Sequence, residues 1–217
     1  MIVLNLDEYN VHKKTIIDEL KKSVFVYPTD TIYGIGCNAT DEKLVAKIRQ
    51  IKKTDHPFSI IVPSKEWIYQ NCEVTAEAEE WVRKLPGPYT LILKLKNPKA
   101  LAKNVYHTNS MNTVGVRMPN HWFLAVVYQL KYPIITTSAN VSGRDFMTTL
   151  DDLDSKIRTN VDYVFYDGEK KGRPSTMINL VGPEVSVHRR TESSSKKEQS
   201  KSDLLFPIEE ISLERWR

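Results

Sequence analysis

The sequence predicts an α/β or α+β domain, one sheet covered by helices on one or both faces. Three observations point there. Short stretches rich in β-branched and aromatic residues are interspersed with amphipathic stretches of helical period. The two kinds mix without strict βαβ alternation, which argues against a purely doubly wound sheet. Two apolar stretches also run straight into small hydroxyl, amide and glycine residues: VYPTDTIYGIGCNA over Val26–Ala39 and TTSANVSG over Thr136–Gly143. Strands that end this way deliver backbone N–H groups and short polar side chains to an anionic ligand.

The elements follow in order. Ser23–Thr29 reads as a strand. Asp41–Lys52 reads as a helix with Thr40 as cap and Leu44, Val45, Ile48 and Ile51 on one stripe. Phe58–Val62 is a buried strand closed by Pro63. Ser64–Asn71 and Thr75–Leu85 are helices, the second stopped by Pro86-Gly87-Pro88. Tyr89–Leu95 and Thr113–Met118 are strands, and Asn120 is placed to cap a helix over His121–Leu130. Pro133–Thr137 returns as a strand, Thr149–Thr159 as an amphipathic helix, and Val161–Tyr166 as a strand turning at Asp167-Gly168. Met177–Val181 and Glu184–Arg189 complete the set around the Gly182-Pro183 turn. After Arg190 the character changes. Residues 191–203 read as a flexible Ser/Lys-rich linker, and 204–217 as an apolar tail segment that docks on the domain or binds a partner.

At 217 residues the chain holds one ordinary domain, 1–190, plus that tail. Its longest apolar runs, Trp122–Tyr128 and Phe58–Val62, are too short to span a bilayer. The opening MIVLNLDEYN lacks a basic region, so no secretory signal is expected. Cys37 and Cys72 form no metal or redox spacing, which suits a reducing cytoplasm. Cys37 lies beside the first loop and reads either as a nucleophile or as a packed small residue. The net charge of +4 is a modest bias toward anionic ligands such as nucleotide or RNA.

With the motifs assembled, the chain resembles the YrdC/Sua5 family, the L-threonylcarbamoyladenylate synthases. YPTDTIYGIGCNA resembles that family's YPTET-YGLG strand and loop, PGPYTLIL its PGP-T strand, and VGVRMP its V-VR-P strand. TTSANVSG resembles its STSAN-SG loop, RPSTMINL its PST-V-D segment, and VSVHRR falls at its terminal V-R element. The likeness runs in order from about Val3 to Arg190. It implies a YrdC-like domain, a twisted mixed sheet with flanking helices around an open basic cavity. It also implies a nucleotidyltransferase that converts L-threonine, bicarbonate and ATP to threonylcarbamoyl-adenylate and pyrophosphate, for t6A modification of tRNA. Mg²⁺ is expected with the ATP, because the triphosphate needs a counter-ion. A complex that transfers the threonylcarbamoyl group to tRNA is the partner the family implies, together with possible RNA binding.

The resemblance also implies site roles. Thr31, Arg117, Ser138 and Ser175 fall on the threonine side, with Arg117 as the fork for its carboxylate. Thr113, Asn140, Thr148 and Arg189 fall on the nucleotide, with Lys52 and Lys53 at the phosphates. Lys52 and Arg117 are the catalytic pair. One departure stands out: the family's K-x-R phosphate clamp meets RQIKKTDHP here. Aligned on Pro57, Gln50 and Lys52 take the clamp positions. Aligned on the lysine, Lys52 matches and Thr54 replaces the arginine. A second departure puts Asn179 where the family has aspartate and Met177 where it has valine. Against the synthase stands a second reading, a paralogue that binds RNA or nucleotide in the same cavity without forming the adenylate. The 204–217 segment is expected to act as a lid over the cavity mouth.

Overall fold

A computed structural model describes residues 1–106, 112–182 and 184–189. The linker and tail expected over 191–217 lie outside the described residues. The chain runs β1 (Ile2–Leu4), α1 (Leu6–Leu20), β2 (Phe25–Tyr27), β3 (Gly34–Gly36), α2 (Glu42–Lys52), β4 (Ser59–Ile61), α3 (Lys65–Asn71) and α4 (Ala76–Arg83). It continues through β5 (Tyr89–Lys94), β6 (Thr113–Arg117), α5 (Phe123–Leu130), β7 (Ile134–Ser138), α6 (Ser155–Arg158), β8 (Tyr163–Phe165), β9 (Thr176–Asn179) and β10 (Ser186–His188). The strands form one mixed sheet in the order β1-β8-β2-β3-β7-β4-β6-β5-β9-β10. Parallel and antiparallel neighbours alternate irregularly along it, as the absence of a βαβ rhythm in the sequence implies.

Alternation along each strand sorts side chains onto two faces. One face carries Val26, Ile35, Ile60, Leu91, Val116 and Ile135, buried against Val45, Ile48 and Ile51 of α2, Ile68 of α3 and Val82 of α4. The other face is divided. On the β8–β2–β7 side, Phe25, Tyr27, Ile134 and Phe165 pack against Tyr9, Ile16 and Leu20 of α1 and Phe123, Val126 and Leu130 of α5. Tyr27 stacks on Phe123 with ring centroids 4.8 Å apart. Each such aromatic contributes roughly 1.5–3 kcal/mol by burial. On the β4–β6–β5–β9 side the same face bears Ser59, Thr90, Thr113, Gly115 and Arg117, as the register shows: Ser59 pairs with Gly115 and with Thr136, and Ile61 with Arg117. A cavity of about 350 Å³ opens there.

The structure corrects several expected elements. Helix α1 is absent from the sequence reading because only Tyr9, Ile16 and Leu20 of its residues are buried, too sparse a stripe to register. Its capping box was the available signal: Asn5 Oδ1 accepts from Glu8 N–H at 2.9 Å, and Glu8 Oε2 accepts from Asn5 N–H at 2.8 Å. Helix α2 is capped by Asp41, whose Oδ1 accepts from the N–H groups of Lys43 and Leu44, and not by Thr40, which turns to Asn38. Asn120 caps nothing. The helix after it begins at Phe123, and Asn120 N–H goes to Asp30 instead. The helix expected over Thr149–Thr159 shrinks to Ser155–Arg158 because Asp152 accepts from Thr149 N–H and holds 148–152 in a turn.

The Gly-Ile-Gly stretch is strand β3 rather than loop. Its glycines admit the neighbours: a Cβ at Gly36 would stand 2.3 Å from the Ile135 carbonyl oxygen, and one at Gly34 2.9 Å from the Tyr27 ring. Gly36→Ala is therefore expected to lower stability by about 1–3 kcal/mol, read as a lower urea midpoint at unchanged slope. An unaltered midpoint would show that β3 relaxes away from β7.

Candidate active site

The first cluster forms where the loop after β2 folds over the end of β6. Thr29 Oγ1 donates to the Ile32 carbonyl at 2.7 Å and accepts from Thr31 N–H at 3.1 Å, which ties PTDT into a tight turn. With the Thr29 proton committed, the Thr31 hydroxyl is the donor across the 2.9 Å Thr29–Thr31 contact. Thr31 Oγ1 in turn accepts from Arg117 Nη2 at 3.2 Å. The same Nη2 donates to Asp30 Oδ1 at 3.1 Å, and Asp30 Oδ2 accepts from Asn120 N–H at 2.9 Å. The ion pair is buried, its side chains 7% and 12% exposed. Burial lowers the Arg117 pKa while Asp30 works to raise it. One edge of the guanidinium is thus anchored, yet its Nε–H is buried with no acceptor among the described residues. A buried unmatched donor is costly and marks a place where a ligand acceptor fits. Beside it on the same face, the buried Ser175 hydroxyl shares a 2.7 Å hydrogen bond with Thr90.

The second cluster joins α2 to the loop after β7. Lys52 is 5% exposed. Its Nζ donates to the Ser138 carbonyl at 2.6 Å, the Asn140 carbonyl at 2.8 Å and Asn140 Oδ1 at 3.0 Å, engaging all three ammonium protons. Ser138 Oγ donates to Asn140 Oδ1 at 2.6 Å, and the Asn140 amide donates to the Arg144 carbonyl at 2.5 Å. Lys52 is expected from the sequence at the phosphates; the structure makes it the post around which TTSANVSG is wound. Gln50 is exposed, so the alignment that matches Lys52 is the one the geometry favours. Arg49 is a brace: Nε and Nη2 donate to the Asn104 carbonyl, Nη1 to the carbonyls of Thr54 and His56, and the guanidinium lies 4.5 Å over the Phe58 ring.

On the polar face of β4, β6, β5 and β9 lies the 350 Å³ cavity, lined by Pro57, Phe58, Ser59, Ile92, Thr113, Gly115, Met177, Asn179 and His188. A Cβ at Gly115 would come within 2.3 Å of Ser59 Oγ, so the bare glycine keeps the floor low. Asn179 Oδ1 accepts from Val181 N–H at 3.1 Å, which braces the turn after β9.

Of the sequence-predicted residues, the structure joins Thr31 to Arg117, and Lys52 to Ser138 and Asn140; Thr113 lies in the cavity and Ser175 beside Thr90. Thr148 is hydrogen-bonded to Asp152, and its carbonyl accepts from Lys170 N–H. Lys53, at the left-handed end of α2, and Arg189, at the end of β10, are exposed, and no described contact ties them to either cluster. Sequence reasoning missed Asp30, Thr90 and Asn120 as partners; the acid set between two threonines was the only visible hint. Cys37 is fully buried and its thiol is pushed well up by burial, so it is a packing residue. A larger cavity of about 1040 Å³ between α1, α3 and α5 holds none of these residues.

The mixed sheet and its small-residue face define a YrdC-like α/β domain. The chain belongs to the Sua5/YciO/YrdC family: the family's model, described as telomere recombination, matches residues 20–191. It is 36% identical over 180 residues to a protein of Methanocaldococcus jannaschii named putative threonylcarbamoyl-AMP synthase, covering 77% of this chain and 82% of that one. It is 34% identical over 160 residues to the threonylcarbamoyl-AMP synthase of Pyrococcus abyssi, covering 71% of this chain but only 46% of that longer protein. Its fold matches P. abyssi Sua5 complexed with L-threonine at a TM-score of 0.75 and 27% identity, over 86% of this chain and 56% of that one. No helix among the described residues is long and apolar enough to cross a membrane.

Burial pulls the Lys52 ammonium down to about 8, from 10.5 for an ordinary lysine. The charged form, which supplies all three donors, is therefore kept below that pH and lost as pH rises through it. Pyrophosphate affinity is expected to fall as pH rises past about 8, measured by calorimetry, and the falling limb should move well up in Lys52→Arg, whose guanidinium keeps its proton. A wild-type limb near 10.5 would show that Lys52 does not govern the loop's charge.

Proposed function

We propose that the chain is an L-threonylcarbamoyladenylate synthase, an enzyme of the nucleotidyltransferase class. The observation that carries this reading is Arg117: a buried guanidinium held on one edge by Asp30 and Thr31, with its Nε–H lacking an acceptor on the polar face of the sheet. An unmatched N–H on a fixed, buried cation is the donor that an oxygen of an amino-acid carboxylate would satisfy. The names of the relatives, and the L-threonine with which P. abyssi Sua5 is complexed, support threonine as the amino acid.

In this reading threonine lies with its carboxylate on Arg117 and its hydroxyl within reach of Thr31, Ser138 or Ser175. ATP occupies the cavity over Thr113 and Gly115, with its phosphates toward Asn140 and Thr148. The amine of threonine takes up bicarbonate with loss of water, giving an N-carboxylate. An oxygen of that carboxylate attacks the α-phosphorus; the bond to the bridging oxygen breaks and pyrophosphate leaves. Negative charge builds on the departing group, where the positive potential of Lys52 and the rim cations Lys53 and Arg189 stabilise it. Among the described residues no three His, Cys, Asp or Glu side chains converge to hold a metal ion. Mg²⁺ enters this proposal as the counter-ion of ATP, supplying charge neutralisation at the phosphates. The labile product passes to a threonylcarbamoyl-transfer complex acting on tRNA, and the setting is cytoplasmic.

Purified protein with ATP, Mg²⁺, L-threonine and bicarbonate is expected to release pyrophosphate only when threonine is present. Release independent of threonine would sink the reading. In Arg117→Lys, which keeps the charge but loses the fork, the threonine Kd should rise roughly ten- to hundredfold with ATP affinity little changed. Equal losses would reassign that arginine.

A further inference from the structure

Between β8 and β9 the chain runs from Asp167 to Ser175 without helix or strand, and it meets Tyr33, Thr148, Thr31 and Thr90 in turn. It starts on Tyr33, whose hydroxyl accepts from Asp167 N–H at 2.9 Å and donates to the Gly168 carbonyl at 2.6 Å. Lys170 N–H donates to the Thr148 carbonyl at 3.0 Å. Gly172 lies flat on the turn below: a Cβ there would stand 2.2 Å from the Thr31 carbonyl oxygen. The segment ends at Ser175, against Thr90. It is a strap laid across the Thr31–Arg117 end of the site.

A single turn, Pro119–His121, fixes both the strap and the arginine beneath it. Asn120 N–H orients Asp30, which holds Arg117. Next to it, the His121 side chain is 9% exposed. Its Nδ1 accepts from Phe123 N–H at 3.3 Å, so the ring proton sits on Nε2 and is donated to Asp167 Oδ2 at 3.0 Å. Lys170 Nζ donates to the same oxygen at 2.9 Å and lies 3.3 Å from His121 Nε2, its charge opposing a second proton on the ring. Burial lowers the His121 pKa, which keeps the ring neutral and this tautomer in place. For Asp167, burial works upward, but the hydrogen bonds from Lys170 and His121 outweigh it and hold the carboxyl below its ordinary range.

We propose that His121 is a positioning residue: through Asp167 it holds the 167–175 strap down over the amino-acid end of the site, and so sets affinity for the amino acid more strongly than for the nucleotide, whose side the strap meets only through Lys170 N–H and the Thr148 carbonyl. This rests on the reading that Arg117 and Thr31 take the amino acid. His121→Ala removes the donor; His121→Gln returns a side-chain N–H. Gly172→Ala lifts the strap from Thr31 without touching the histidine.

The expected result is a threonine KM raised about tenfold in His121→Ala and in Gly172→Ala, with ATP KM and kcat within twofold or threefold of wild type. His121→Gln should recover most of the loss. Hydrogen exchange of 167–175 in the protein without substrates should accelerate in His121→Ala and return toward wild type in His121→Gln. Threonine and ATP KM values rising together, no rescue by glutamine, or unchanged exchange of the strap would each overturn the proposal. If wild type released no pyrophosphate with threonine, the synthase reading would fail by itself, while the exchange measurement would still decide the strap.

Discussion

The site depends on keeping one arginine charged and still inside the protein. A buried ion pair gives little net stability over an apolar replacement, but breaking one costs about 3–5 kcal/mol. Its presence on the Arg117–Asp30 axis is therefore better explained by use than by stability. Asp30 takes a single Nη2 proton and is itself held by a backbone N–H two residues beyond Met118. The carboxylate neutralises the guanidinium through Nη2, Thr31 accepts from the same nitrogen, and the Nε–H is left available. The tight Thr29–Ile32 turn fixes the distance at which this happens.

Lys52 solves a different problem by similar means. An ammonium surrounded by three oxygens of the Ser138–Asn140 loop is a strut between helix α2 on the apolar face and the loop at the end of β7. The loop's serine and asparagine are aligned because the lysine they share is immobile. Arg49 does comparable work one turn earlier, gathering three carbonyls so that the short 54–57 connection needs no partner of its own. Cations that read as a phosphate clamp in the sequence are thus largely consumed as internal scaffolding, and Lys53 and Arg189 are exposed.

The sheet elements Phe58–Val62, Tyr89–Leu95 and Thr113–Met118 were legible because one face of each is uniformly apolar, through Phe58, Ile60 and Val62, Leu91, Leu93 and Leu95, and Val114 and Val116. Helix α1 was not, since only Tyr9, Ile16 and Leu20 of its 15 residues are buried. The Gly34–Gly36 strand was hidden because its glycines answer to partners distant in sequence, the Tyr27 ring and the Ile135 carbonyl. The ordered motifs gave Thr31, Arg117, Lys52, Ser138 and Asn140 together. They did not give Asp30 as the anchor, because an acid in a turn has many local uses and only the fold brings it to Arg117. Nor did they give the Lys52 tripod, which depends on how far α2 runs past the sheet's end.

Strand β7 runs antiparallel to both of its neighbours, β3 and β4, and is the seam between two groups of strands. The turn that carries Thr31 enters β3 on one side of it, Arg117 ends β6 on the other, and Ser138 closes β7 itself. A molecule resting on all three therefore bridges both groups of strands. The strand register across β7 then sets the length of ligand that can touch both sides at once, a constraint of backbone geometry added to that of the side chains.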